Sequence, residues 1–286
     1  LALHDRAAWS ALMAQLPGYQ DGDGLFAYFP LGNNSEARGS EVLTAYLLSA
    51  AHEAGEAVPE PARGKALDAL AAFVEGRIQR RRWSPRDDES PRRIAALAAL
   101  ARYERATPRL LSIVDAAQLS QWPTATVIDW LQLHQRMANA PQREARIAAA
   151  QQQLRSRLSF AGTTLRFVDE EQDAWWWLMD SSDGNAARLI LALLDDPSWR
   201  EDLPRMVTGA LARQQQGAWY NTTANFWGTM ALEKFSARFE SQPVAGRSTA
   251  ALKAGASAGL DWGKQAQGGS LSLPWPAAAS ELSLRH

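Results

Sequence analysis

Pro and Gly interrupt this chain at short intervals, and between the breaks the alanines and leucines recur three and four residues apart. That period gathers apolar side chains on one face of an α-helix, so the chain is constrained to a succession of amphipathic helices. A first helix is predicted from Asp5 to Leu16, stopped by Pro17 and Gly18. Ser40 is placed to cap a second, which carries Leu43, Tyr46, Leu47 and Ala50 and ends at Gly55. A third begins near Pro61 and presents Leu67, Leu70, Phe73, Val74 and Ile78. Further segments read as helical at 91–105, 107–118, 123–138, 141–158, 183–194, 199–214 and 222–239. About ten helices with tight links imply antiparallel hairpins stacked side by side. Periodicity alone leaves open whether the stack is an open superhelix or closes into an α/α toroid.

Two regions depart from the helical period. Within 154–183, the stretch SRLSFAGTTLRFVDEE alternates around Gly162 and suits a small hairpin. The neighbouring Trp175, Trp176 and Trp177 cannot all face one side of a helix or strand, so at least one lies on a different surface. After Gln242-Pro243 the chain turns rich in Gly and Ser, with Gly268-Gly269 as a turn before a strand at Ser270 to Leu273. The predicted organisation is therefore mainly α: a helical array over 1–240 and a small, partial β region over 241–286.

Charge and composition exclude several classes of function. A net charge of -1 gives no reason to expect nucleic acid or an anionic membrane as partner. Arg77, Arg80, Arg81 and Arg82, followed by Asp87, Asp88 and Glu89, read as solvated surface. The chain has no cysteine, hence no disulfide, thiolate metal site or cysteine nucleophile. Its four histidines, at 4, 52, 134 and 286, are dispersed and form no HExxH, so no metal is expected. No dinucleotide fingerprint, phosphate loop or nucleophile elbow occurs, so no cofactor is expected. No apolar run reaches the roughly 18 residues of a membrane span. The start LALHDRAAWS lacks the order of a signal peptide, and with the end ELSLRH it reads as a mature product or an excised fragment.

The candidate chemical groups are carboxylates: Asp21, Asp23, Asp169, Asp173, Asp180 and Asp183. A glycosidase needs two of them across a sugar ring. The same residues are ordinary turn formers and caps, and Ser182 or Asp183 is placed to cap the helix that follows. In GAWYNTTANFWGTMALEKFSARF, Asn221, Thr222 or Thr223 can cap a helix whose packing face carries Trp227, Met230, Ala231, Phe235 and Phe239. Trp219 and Tyr220 precede that cap and are expected to be exposed or half-exposed.

Three segments, in order, resemble the helical domain of the bacterial alpha-2-macroglobulin family: GLFAYFP with GSEVLTAYLLSAAHEAGEAVP between Gly24 and Pro59, MDSSDGNAARLILALL from Met179, and GAWYNTTANFWGTMAL from Gly217. The resemblance covers about 1–240. It implies a non-catalytic α/α toroid within a much larger proteinase inhibitor, in which cleavage of a bait region triggers a conformational change. It implies proteinases of broad specificity as partners, together with neighbouring β domains and, as in many relatives, a peptidoglycan-synthesising membrane protein. The implied location is the periplasm, free or tethered to the inner membrane. Some members capture covalently through a Cys-x-x-Gln thioester; the motif is absent here, which fits the thioester-lacking branch or a motif preceding Leu1. Trp175, Trp176, Trp177, Trp219 and Tyr220 are the expected interface residues. Two other readings are an α/α-toroid enzyme acting on glycans or isoprenoids, and an autonomous helical interaction module.

Overall fold

The computed structural model describes residues 6–32, 38–80, 89–168, 176–240, 245–253, 255–265 and 269–286. Asp169, Asp173, Trp175, Arg81 and Arg82 lie outside the described residues. The chain divides into two compact units, 1–234 and 235–286.

Helices α1 (Arg6–Gln15), α2 (Glu41–Ala54), α3 (Ala62–Val74), α4 (Glu89–Arg102), α5 (Pro108–Leu111), α6 (Thr124–Arg136), α7 (Arg143–Ser156), α8 (Ser182–Leu193), α9 (Leu203–Leu211) and α10 (Thr222–Phe239) follow one another along the chain. None of the described helices is long and apolar enough to cross a membrane. The local signals act as their chemistry dictates. The Ser40 hydroxyl accepts the Leu43 N–H at 3.2 Å, and Gly55 closes α2 with φ 70°, a conformation that costs glycine little.

In the first unit, α2, α4, α6 and α8 pack successively into a row. Helix α3 packs on α2 and α4, α7 on α6, and α9 on α8, so each hairpin pairs a row helix with an outer helix. The row is where the core sits. Ile94, Leu97, Leu100, Val127, Ile128, Leu131, Leu189 and Leu193 are buried, and Ala96, Ala98 and Ala99 let α4 approach its neighbours closely. Helix α6 is buried all round from Thr124 to His134, so its polar side chains need partners. Asp129 accepts from Arg188 at 2.5 Å, Gln132 from Arg102 at 2.6 Å, and Thr124 from Arg157 at 2.9 Å.

Strands β1 (Leu158–Ala161) and β2 (Thr164–Phe167) form the hairpin expected around Gly162, and β2 lies on α9. The approach is close: a Cβ on Gly209 would fall 2.6 Å from the Leu165 carbonyl oxygen.

Several boundaries differ from expectation. The 107–118 segment is not one helix, because Ile113 N–H and Val114 N–H bond three residues back and the Ser112 hydroxyl takes the Arg109 carbonyl. Helix α3 ends before Ile78, with Gly76 at φ 77°. The cap of α8 is neither Ser182 nor Asp183 but Ser181, which accepts the Gly184 N–H at 3.1 Å.

The second unit holds β3 (Arg247–Leu252), β4 (Ser257–Asp261) and β5 (Leu282–Arg285), antiparallel in the order β4-β3-β5. Ser270 to Leu273 is not a strand. The tripeptide Leu-Ser-Leu occurs both there and in β5, but the first copy runs into Pro274 and Pro276, which cannot donate to a ladder.

Candidate functional site

The features singled out in the sequence converge where α2, α8 and α10 begin. Asp21 organises the loop before α2. It is buried, and its carboxylate accepts N–H groups of Asp23, Leu25 and Gly39 at 3.0, 3.0 and 2.7 Å. The Arg80 guanidinium reaches both Asp21 and Asp23 at 2.7 Å and donates to the Gly39 carbonyl. Burial works to raise the Asp21 carboxyl, but the Gly39 and Leu25 N–H groups and Arg80 hold it below its ordinary range. Arg80 is therefore an ion-paired strut and not the solvated residue its basic neighbours suggested. This clamp sets Leu25 and Phe26 into the core and leaves Tyr28 and Phe29 51% and 79% exposed. The Tyr28 hydroxyl lies 3.5 Å from the Met179 sulfur, which ties this loop to the one before α8.

Asp183, in the first turn of α8, pairs with Arg213 and receives the Tyr220 backbone N–H. It thereby anchors the turn before α10. Asn221 caps α10 by accepting the Ala224 N–H at 2.8 Å. Trp219 departs from expectation: its ring is buried against Gly228, where a Cβ would fall 2.3 Å from it. Its Nε1 donates to the Ala210 carbonyl at 2.9 Å, and Asn225 bonds both its N–H and its carbonyl. The adjacent Tyr220 ring is 96% exposed. Trp177 is half-buried in the 3-10 turn Trp176–Leu178; the Trp176 side chain, like all of Trp175, lies outside the described structure. On α10 the packing face comprises Ala224, Trp227, Ala231 and Phe235, whereas Phe239 at its end is 38% exposed.

Each described candidate carboxylate of this region has a structural partner. Asp21 and Asp23 share Arg80, Asp183 pairs with Arg213, and Asp180 accepts the Ser181 N–H at 2.9 Å. Among the described residues no group of His, Cys, Asp or Glu could hold a metal ion. The surface offers the exposed rings of Tyr28, Phe29 and Tyr220, held by a hydrogen-bonded turn and a clamped loop. Tyr28 and Phe29 were missed as surface candidates, because an aromatic pair before Pro30 has no local mark distinguishing exposure from burial.

A second polar constellation lies where α2, α4 and α6 end. Glu53 meets Arg102 at 2.9 Å, Arg136 at 2.5 Å and Lys234 at 3.2 Å. Burial would raise its carboxyl, but the three cations override that and hold it at about 2. Burial brings Arg102 down to about 10.

No family model matches the sequence, and no curated protein does. Solved structures match the fold. The native conformation of Escherichia coli alpha-2-macroglobulin aligns with 91% of this chain at 19% identity and a TM-score of 0.57. The trypsin-activated form of that protein aligns with 88% at 19% identity and a TM-score of 0.53. Salmonella alpha-2-macroglobulin reacted with methylamine aligns with 88% at 19% identity and a TM-score of 0.57. The chain spans 16% of the length of each of those proteins. At this identity the likeness is one of fold: a mainly helical domain with a small antiparallel β region.

Proposed function

We propose that this chain is the non-catalytic helical domain, with the start of a neighbouring β domain, of a bacterial alpha-2-macroglobulin-like inhibitor that traps proteinases by a cleavage-triggered rearrangement. The observation that carries the proposal is the fold likeness over 91% of the chain. A closed α/α toroid is favoured by α10, whose Trp227 stands edge-on to Tyr46 of α2 and under Arg188 of α8, touching both ends of the row. The described candidate carboxylates, Asp21, Asp23, Asp180 and Asp183, serve as arginine partners and loop anchors, which favours a scaffold. With no cysteine among its 286 residues this chain supplies no thioester, so its own part in capture is noncovalent. The reading brings with it proteinases of broad specificity as targets, a periplasmic location, and a peptidoglycan-synthesising protein as candidate partner.

In this reading the exposed Tyr220, Tyr28 and Phe29, with the 175–177 tryptophans, contact a β domain of the same protein in one of two domain arrangements. Small-angle scattering of the full-length protein before and after limited trypsin cleavage tests this. A changed radius of gyration after a single nick is expected, and Tyr220→Ala should alter the amount of proteinase needed for it. An unchanged particle after nicking would refute the trap.

A further inference from the structure

The row helices and α10 are fastened by different means. Helices α2, α4, α6 and α8 pack closely on one another through alanines and leucines, whereas α10, with Ala224, Trp227 and Ala231 buried, comes near the other described helices at fewer points. Long side chains bridge the difference. At the start of α10, Trp219 sits on Gly228 and hydrogen-bonds α9 through Ala210. In the middle, Trp227 reaches Tyr46 with ring centroids 6.1 Å apart and lies 5.7 Å beneath the Arg188 guanidinium. At Lys234, Nζ reaches Glu53 of α2.

Glu53 does not depend on Lys234 for its charge. Arg102 and Arg136 already bring two cations to it, and the Arg102 side chain is almost fully buried while that of Lys234 is 39% exposed. Removing Lys234 leaves no unpaired buried carboxylate. What the contact does is fasten α10 at Lys234, about four turns on from its Trp219 anchor.

We propose that α10 is a releasable strap: it opens from the α2–α4–α6–α8 row as a separate unit, with Trp219 and Trp227 as pegs and the Lys234–Glu53 pair as its latch. Local opening of this kind is expected of an element with fewer close contacts to its neighbours. The inference rests on the packing of this chain and is independent of the proteinase reading.

Hydrogen exchange of the full chain, followed by mass spectrometry at increasing sub-denaturing urea, tests it. In the wild type, amides of residues 226–234 should exchange through openings with a smaller urea dependence than those of α4 and α6. Lys234→Gln should accelerate them roughly 2- to 5-fold, the effect of a half-exposed ion pair, and leave α4 and α6 unchanged. Arg136→Gln, which removes a different cation from the same carboxylate, should leave α10 at the wild-type rate. Exchange of wild-type α10 only in step with α4 and α6 would overturn the proposal, as would equal acceleration of α10 by both variants or none by Lys234→Gln.

Discussion

Asp21 shows what a single residue can and cannot disclose. Its place among Gly22, Asp23 and Gly24 marks a turn, but its partner Arg80 is 59 positions away and no spacing rule connects them. Asp21→Asn would set an amide nitrogen against the Gly39 N–H and Arg80, and is expected to cost about 3 kcal/mol, the usual loss on breaking a buried pair. Urea unfolding measures this, and a loss below about 0.5 kcal/mol, ordinary for a surface change, would contradict the clamp. Glu53 makes the corresponding pH prediction. Its folded pKa, about 2, lies below the ordinary glutamate value of 4.5, so its contribution is full above pH 4.5 and is lost as the pH falls towards 2. The size of that contribution is about 3 kcal/mol. Acid titration of Glu53→Gln should be flatter than wild type between pH 4.5 and 2, and equal slopes would mean the three cations do not hold the carboxylate. Trp219 was misjudged because its burial depends on the bare Gly228, nine residues later, a steric vacancy that periodicity does not register.

At the scale of elements, the helices were legible because their signals are local: Ser40 and Asn221 cap, Gly55 stops, and the apolar face repeats. Errors arose where neighbours decide. The 107–118 segment has a helical pattern but closes into tighter turns, and Leu-Ser-Leu became a strand only in the copy that can pair with β3. The β1–β2 hairpin was also legible, yet its seat on α9 was not, since it depends on Gly209 touching backbone rather than a movable side chain. Gly209→Ala is expected to cost about 1–3 kcal/mol as an overpacked contact and to speed amide exchange in 164–167. An unchanged hairpin and unchanged stability would show that α9 and β2 can move apart freely.

For the whole molecule, neither composition nor charge chooses between an enzyme and a scaffold; the proposed scaffold role starts from the order of three short segments. A row of helices with polar groups paired internally, and aromatic rings exposed at one end, suits a domain whose work is to present a surface and hold it rigidly. The most direct measurement incubates full-length protein with a slight excess of inhibitor over trypsin and assays the proteinase on a small peptide substrate and on a large protein substrate. A trap leaves the small substrate cleaved at nearly the free rate while cleavage of the large one falls severalfold. Equal activity on both substrates, before and after the inhibitor is nicked, would contradict it.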